Sequence, residues 1–447
     1  MEKIKSILLF LLFGLSLLLT YQLWYGELPA QLLEEDVYER LVVEEPRPLE
    51  NVIMPELIVS SVEGDTYVFK KGENGYESLW EELSFTLQQL SFYEAVEEAM
   101  PPADSNKVLT YYLQPELPVG EGLPWLGNAI YAELEMIELY TDNANKWLVL
   151  SEAGNNHKTN LLLSSDKAKR FNQLFDEALF ENKARHTRLT NENIAMLSGY
   201  DLEISGSIYV PQESIYLDEV ILKPEDLDHD LILKTFFIDY NMARIIEEKD
   251  GGLIYTDGEK GLRLTEFGLE YSSPRKETGS ATVTYPEALF NSSSLISYHG
   301  GWPEDLRLDE LSLSGWGRTI HYNAEWCMYY AGFPILVKQP TKALFNDSGL
   351  IYYTRFIFAP DDVIMVGEGQ KTAAMWYDAL EKAANLFKDQ ASESENVLHL
   401  EEMRLGYVVI NSSGHYRGEP VWRIKISGET FTLQADQLNS VDEEDLL

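Results

Sequence analysis

The sequence predicts an α+β protein: one N-terminal transmembrane helix, then about three mixed α+β domains with mainly antiparallel sheets. Three observations predict it. Ile7 to Tyr25 runs for nineteen residues without a charge. Beyond it, strand-like runs cluster around a few helical stretches without regular βαβ alternation, which argues against a doubly wound sheet. Between two of those runs stands Asp257-Gly258, a hairpin signal.

The apolar run comes first. At about 1.5 Å per residue it reaches roughly 28 Å, close to the hydrocarbon thickness of a bilayer. A secretory signal has a shorter apolar region, roughly 7–15 residues, followed by small residues at a cleavage site. Here the exit side reads Tyr21-Gln22-Leu23-Trp24-Tyr25, an aromatic belt, and no A-x-A follows. An uncleaved anchor is expected. Lys3 and Lys5 precede it, while Glu27, Glu34, Glu35 and Asp36 follow, so the N-terminus is expected in the cytoplasm and the bulk outside the cell membrane. Helix association in lipid depends on close packing, which small residues allow. Gly14, flanked by Phe10, Leu17 and Tyr21 at i−4, i+3 and i+7, is expected to give a shallow groove for a partner helix.

The segments expected are a cytoplasmic N-terminus (1–6), the anchor (7–25) and an acidic, proline-bearing lead-in (26–50). Three α+β domains follow, at 51–181, 182–280 and 281–440, and then an acidic tail (441–447). In the first domain, apolar spacing predicts a helix over 76–98 carrying Tyr76, Leu79, Trp80, Leu83, Leu87 and Leu90. Strands are expected at 107–115, 136–143 and 146–152, and a second helix over 167–179. The stretch 182–275 is mostly β-patterned and includes "LILKTFFIDY" (231–240) as a strand. The last third begins with a short helical stretch near 285–297 and contains an aromatic strand at 349–359. It ends with a helix over 371–390 and two closing strands at 404–410 and 420–427.

At 447 residues and 45% hydrophobic, the chain can bury sizeable cores. Its net charge is −39; the first 25 residues carry +1, so the remainder carries −40. Such a surface repels nucleic acid, anionic headgroups and anionic wall polymers, so no nucleic-acid partner is expected. The one cysteine, Cys327, lies in the aromatic run "EWCMYY", so no internal disulfide exists and a buried, inert thiol is expected.

Enzyme motifs fail one by one. There is no H-E-x-x-H, G-x-S-x-G or C-x-x-C. "GEGQKT" (367–372) has the wrong glycine spacing for a phosphate loop and reads as a turn. Ser164-x-x-Lys167 imitates the penicillin-binding serine enzymes, but their companion motifs are missing and Ser164 suits a helix cap. The histidines, at 157, 186, 229, 299, 321, 399 and 415, include no pair at i, i+3 or i+4. Catalytic residues, metal ligands and cofactors are therefore not assigned.

Four places in the sequence stand out together: the anchor "SILLFLLFGLSLLLTYQLW", the hairpin "IYTDGEKGLRL" with Tyr255, Thr256, Asp257 and Gly258, and the run His299-Gly300-Gly301-Trp302. The fourth is the closing pair "LGYVVI" and "EPVWRI", with Gly406, Tyr407, Pro420 and Trp422. In this order they resemble the YycH family of regulatory proteins from low-GC Gram-positive bacteria. The resemblance implies three exterior α+β domains and a non-enzymatic role. It also implies partners: a WalK-type sensor histidine kinase governing cell-wall metabolism, and a YycI-like companion, contacted largely through transmembrane helices. A homo-oligomer stays open. An anchored cell-wall hydrolase or transferase and a scaffold of a wall-synthesis complex are the rival functions. From the residues alone, Asp257-Gly258 suits a turn needing positive φ, and the glycines of 300–301 permit a tight backbone path.

Overall fold

A computed structural model describes residues 45, 47, 52, 54–73, 75–89, 105, 107–118, 133–141, 146–152, 158–163, 183–194, 202–225, 228–237, 240–249, 251–273, 285–303, 305–316, 319–346, 349–360, 370–390, 397–412 and 415–441. The expected anchor with Phe10, Gly14, Leu17 and Tyr21, the Ser164 cap with its helix, and residues 442–447 lie outside them. Among the described residues no helix is long and apolar enough to cross a membrane. Glu44–Leu447 clusters as one compact unit, within which divisions near 182 and 280 stand as a reading of the sequence.

Six antiparallel strands make the first sheet: β1 (Leu57–Val62), β2 (Asp65–Lys70), β3 (Lys107–Pro118), β4 (Glu133–Thr141), β5 (Lys146–Glu152) and β6 (Lys158–Leu162). Their order is β2-β1-β3-β4-β5-β6. Glu63 and Gly64 take φ of 53° and 95°, the pair of positive values that closes a two-residue hairpin between β1 and β2. Helix α1 (Tyr76–Gln89) buries Tyr76, Leu79, Trp80, Leu83 and Leu87, the expected face, in one core with Ile58, Phe69, Leu109 and Tyr111.

Two short pairs follow: β7 (His186–Arg188) with β9 (Tyr209–Pro211), and β10 (Tyr216–Leu217) with β22 (Lys371–Thr372). All other strands join one large sheet: β8 (Leu202–Ile204), β11 (Val220–Pro224), β12 (Arg244–Glu247), β13 (Leu253–Thr256), β14 (Gly261–Leu264), β15 (Gly268–Ser272), β16 (Leu306–Trp316), β17 (Thr319–Tyr330), β18 (Phe333–Leu336), β19 (Thr341–Asn346), β20 (Gly349–Phe356), β21 (Phe358–Pro360), β23 (Leu398–Ser412), β24 (His415–Ile426) and β25 (Glu429–Gln434). The main path runs β12-β13-β14-β15-β20-β19-β17-β18-β23-β24-β11-β21, with β16 on β17, β25 on β24 and β8 on β23. Only the β18–β23 and β8–β23 pairings in it are parallel. Strand β11, from the middle of the sequence, is inserted between β24 and β21 near the end of that path.

Among the described residues three more helices of eight residues or longer accompany these sheets, and one corrects the sequence reading. "LILKTFFIDY" does not form a strand; His229–Phe236 is helix α2. The Asp228 carboxylate accepts from the Leu231 amide at 3.0 Å and caps it, and Ile232, Leu233 and Phe236 make a buried stripe at i, i+1 and i+4. Helix α3 (Tyr285–Tyr298) matches the short helix expected. Helix α4 (Trp376–Gln390) starts later than expected, because Lys371–Thr372 are taken by β10. Its Leu380, Ala383 and Phe387 pack with Trp422, Ile424, Phe431 and Leu433 in a second core. The closing region holds three strands, β23 to β25, rather than two.

His186 sets a pH dependence. It is buried, and Nδ1 lies 3.0 Å from the Ala184 carbonyl. Burial first, and then the charge of Lys70, push its pKa down to about 3. The unfolded chain therefore binds the proton more readily, and the stability held by neutral His186 is lost as pH falls from about 6.5 toward 3. Relative to His186→Leu, the wild type is expected to lose about 1.4 kcal/mol per pH unit across that window. Urea unfolding of both chains at pH 7, 5 and 4 reads the difference; a constant gap would contradict it.

Candidate functional site

The motif residues fall at three places. Tyr255-Thr256-Asp257-Gly258 forms the β13–β14 turn. Asp257 Oδ1 accepts from the amides of Glu259 and Lys260 at 2.9 and 2.8 Å, and Thr256 Oγ1 donates to the Lys260 carbonyl at 2.7 Å. Slight burial works against the Asp257 charge, yet those amides hold its carboxyl below the usual range. Gly258 has φ of 97°, which glycine adopts without strain.

His299-Gly300-Gly301-Trp302 ends helix α3. Gly300 and Gly301 have φ of 118° and 77°, and the Gly301 amide donates back to the Ile296 carbonyl at 3.1 Å. The turn wraps the guanidinium of Arg355 from β20. Arg355 Nη1 donates to the His299 and Gly301 carbonyls at 3.2 and 2.8 Å, and Nη2 to Glu225 Oε2 at 2.8 Å. The cation thus satisfies carbonyls at the negative end of the helix. A Cβ on Gly300 would meet Arg355 Nη1 at 2.7 Å, so the glycine makes room for the charge. The His299 ring packs on Phe236, with centroids 4.1 Å apart, and its Nδ1 lies 2.8 Å from the Leu295 carbonyl. Trp302 Nε1 donates to Ser297 Oγ at 2.8 Å, and the Arg47 guanidinium stands 4.7 Å from the Trp302 ring.

The closing motif is a crossing of backbones. Gly406 lies on β23 where the Pro334 carbonyl of β18 approaches, and a Cβ there would be 2.9 Å from that oxygen. Tyr407 and Pro420 oppose each other between β23 and β24, and buried Trp422 donates Nε1–H to the Ala374 carbonyl at 3.2 Å.

Sequence reasoning did not single out a fourth place, a polar cluster between the two sheets. Lys71 is fully buried and donates Nζ–H to the Leu308 carbonyl at 2.9 Å. Tyr329 donates to Asp309 Oδ1 at 3.0 Å, and Arg404 pairs with Glu402 at 2.5 Å. Burial opposes the Asp309 charge, but Arg404 and then Lys71 hold its carboxyl below the usual range. With Arg423 and Cys327, Asp309 and Arg404 line a cavity of about 70 Å³. Cys327 is partly exposed as a residue. Burial, and then Asp309, push that thiol up to about 12, far from a reactive thiolate. Among the described residues no group of three or more His, Cys, Asp or Glu could hold a metal ion.

The surface most open to another protein lies elsewhere. Strand β12 ends the large sheet and, among the described residues, pairs only with β13. Ile245 and Ile246 on it are 63% and 51% exposed, and Met242 just before it 79%. An apolar edge strand is a template for pairing with another chain. The signal in the sequence is the run "ARIIEE" between helix α2 and the Asp-Gly hairpin; isoleucines there have no inward side to fill.

Residues 2–118 match the family described as YycH protein, N-terminal domain. No curated protein matches the chain by sequence. Among solved structures, the crystal structure of YycH from Bacillus subtilis matches with a TM-score of 0.57 at 12% identity, covering 88% of this chain and 98% of that one. The YpeB C-terminal domain of Bacillus megaterium matches at a TM-score of 0.26 and 14% identity, over 50% of this chain and 99% of that one. The class is thus a sheet-rich α+β protein with few helices, mainly antiparallel pairing and the fold of YycH. Residues 2–118 match that family's N-terminal domain, and over 88% of its length the chain shares the fold of YycH.

Proposed function

We propose that this chain is a membrane-anchored, extracytoplasmic regulator of a WalK-type sensor histidine kinase, acting with a YycI-like companion. One observation carries the reading: the family match, residues 2–118, includes the apolar run Ile7–Tyr25 that is the expected anchor. A population shift would supply the mechanism. The anchor helix, through the Gly14 groove, binds one signalling state of the kinase better than the other, and the equilibrium moves by that difference.

Pull-down of the native full-length chain from its own membranes tests the proposal. Kinase and companion are expected to co-purify. Recovery of wall-synthesis enzymes without the kinase would favour the scaffold instead, and recovery of neither would remove the kinase reading.

A further inference from the structure

We propose that strand β12 pairs with β12 of a second copy of this chain across a two-fold axis, in an antiparallel register centred on Ile246. The inference does not depend on the kinase reading.

The backbone groups of β12 alternate in direction between β13 and the edge. Glu248 donates its amide to the Gly252 carbonyl at 2.8 Å, in the same register that opposes Arg244 to Thr256 and Ile246 to Ile254. Hydrogen-bonded and non-hydrogen-bonded pairs alternate along an antiparallel ladder. Arg244, Ile246 and Glu248 therefore bond toward β13, and Ile245 and Glu247 turn their N–H and C=O to the edge that no other described strand pairs.

Symmetry limits the registers, and the pairing of side chains chooses among them. A two-fold axis normal to the sheet returns each face to itself, so opposed residues must both be even-numbered or both odd-numbered. Centring on Ile246 satisfies this and sets Ile245 opposite Glu247 of the second copy, twice over. Those are the residues with outward backbone groups, so both pairs form hydrogen bonds. Ile246 then meets its own copy in a non-hydrogen-bonded pair, where cross-strand side chains come closest.

Charge complementarity agrees. On the Ile246 face this register reads Arg244-Ile246-Glu248 against Glu248-Ile246-Arg244, an apolar centre between two opposite-charge pairs. Glu248 already receives Arg263 Nε at 2.5 Å, so its carboxylate would be shared between two guanidiniums. A strand of another protein would need this same pattern by coincidence, whereas a second copy carries it necessarily. Two chains of net charge −39 repel at long range, so pairing should strengthen as salt screens that repulsion.

Cysteine cross-linking of the full-length chain in its native membranes is the test. Cys327 is the one native cysteine, so the unmodified chain is the control. Ile246→Cys should give an oxidised band at twice the 51.1 kDa chain mass, and Arg244→Cys co-expressed with Glu248→Cys should give the same band. Ile245→Cys alone should not. Ile246→Lys, a change at an exposed position that sets like charges together at the centre, should weaken association about tenfold in light scattering of the purified full chain. Absence of the Ile246→Cys band, an equal band from Ile245→Cys, or a band joining a different protein would each overturn the proposal.

Discussion

Replacing Arg355 by Met is expected to destabilise the fold by about 3–5 kcal/mol, the range for breaking one side of a buried charge pair. Arg355 is 3% exposed and spans three acceptors: the His299 and Gly301 carbonyls and Glu225. Methionine fills much of the volume but donates nothing, so two helix-end carbonyls and a carboxylate are left in a site that water reaches poorly. Arg355→Lys should recover only part of the loss, because a single ammonium cannot reach all three acceptors in the geometry of the planar fork. In Arg355→Met with Glu225→Gln, the two losses should add to less than their sum, since the second change removes the stranded charge. Urea unfolding midpoints of the wild type, the three single variants (Arg355→Met, Arg355→Lys and Glu225→Gln) and the double variant measure these differences. A loss under about 1 kcal/mol in Arg355→Met would mean that the glycine turn holds without its cation.

The second large effect is expected at Gly406. Gly406→Val should cost about 3 kcal/mol, and Gly406→Ala less, through overpacking. The first added carbon already meets the Pro334 carbonyl oxygen at 2.9 Å and Pro334 Cγ at 3.3 Å. Neither can swing aside like the end of a long side chain, because β18 is held on one side by β17 and on the other by β23. The unfolding midpoint should fall while its denaturant slope stays constant; equal stability of Gly406→Val and wild type would rule out the close crossing.

Local signals in the sequence were the ones that could be read. The Asp257-Gly258 turn is made by hydrogen bonds spanning three residues, so the two residue types suffice to foresee it. Helix α1 and the buried face of α4 announce themselves by spacing. "LILKTFFIDY" misled because its apolar residues crowd together, and the Asp228 cap, just outside the run, decides for a helix. At His299-Gly300-Gly301-Trp302 the tight backbone path was legible, but its cause was not: Arg355 lies more than fifty residues away and arrives only through the sheet. The Lys71 cluster was hidden for the same reason, since its carbonyl partner is 237 residues distant. The edge at Ile245 and Ile246 looked like ordinary strand sequence, because which strand ends a sheet is decided by all the others.

The insertion of β11 between β24 and β21 also fixes an order of events during synthesis. Residues 220–224 cannot find both neighbours until residues 416–418 exist, about two hundred positions later. At roughly 5–20 residues per second, a growing chain holds β11 in waiting for on the order of 10–40 s. Until β24 arrives, Val220, buried in the finished protein, lacks the strand it lies against, and Leu222 has β21 alone to pair with. A nascent chain stalled at residue 400 should therefore remain protease-sensitive through β11, and completing the last fifty residues should protect it.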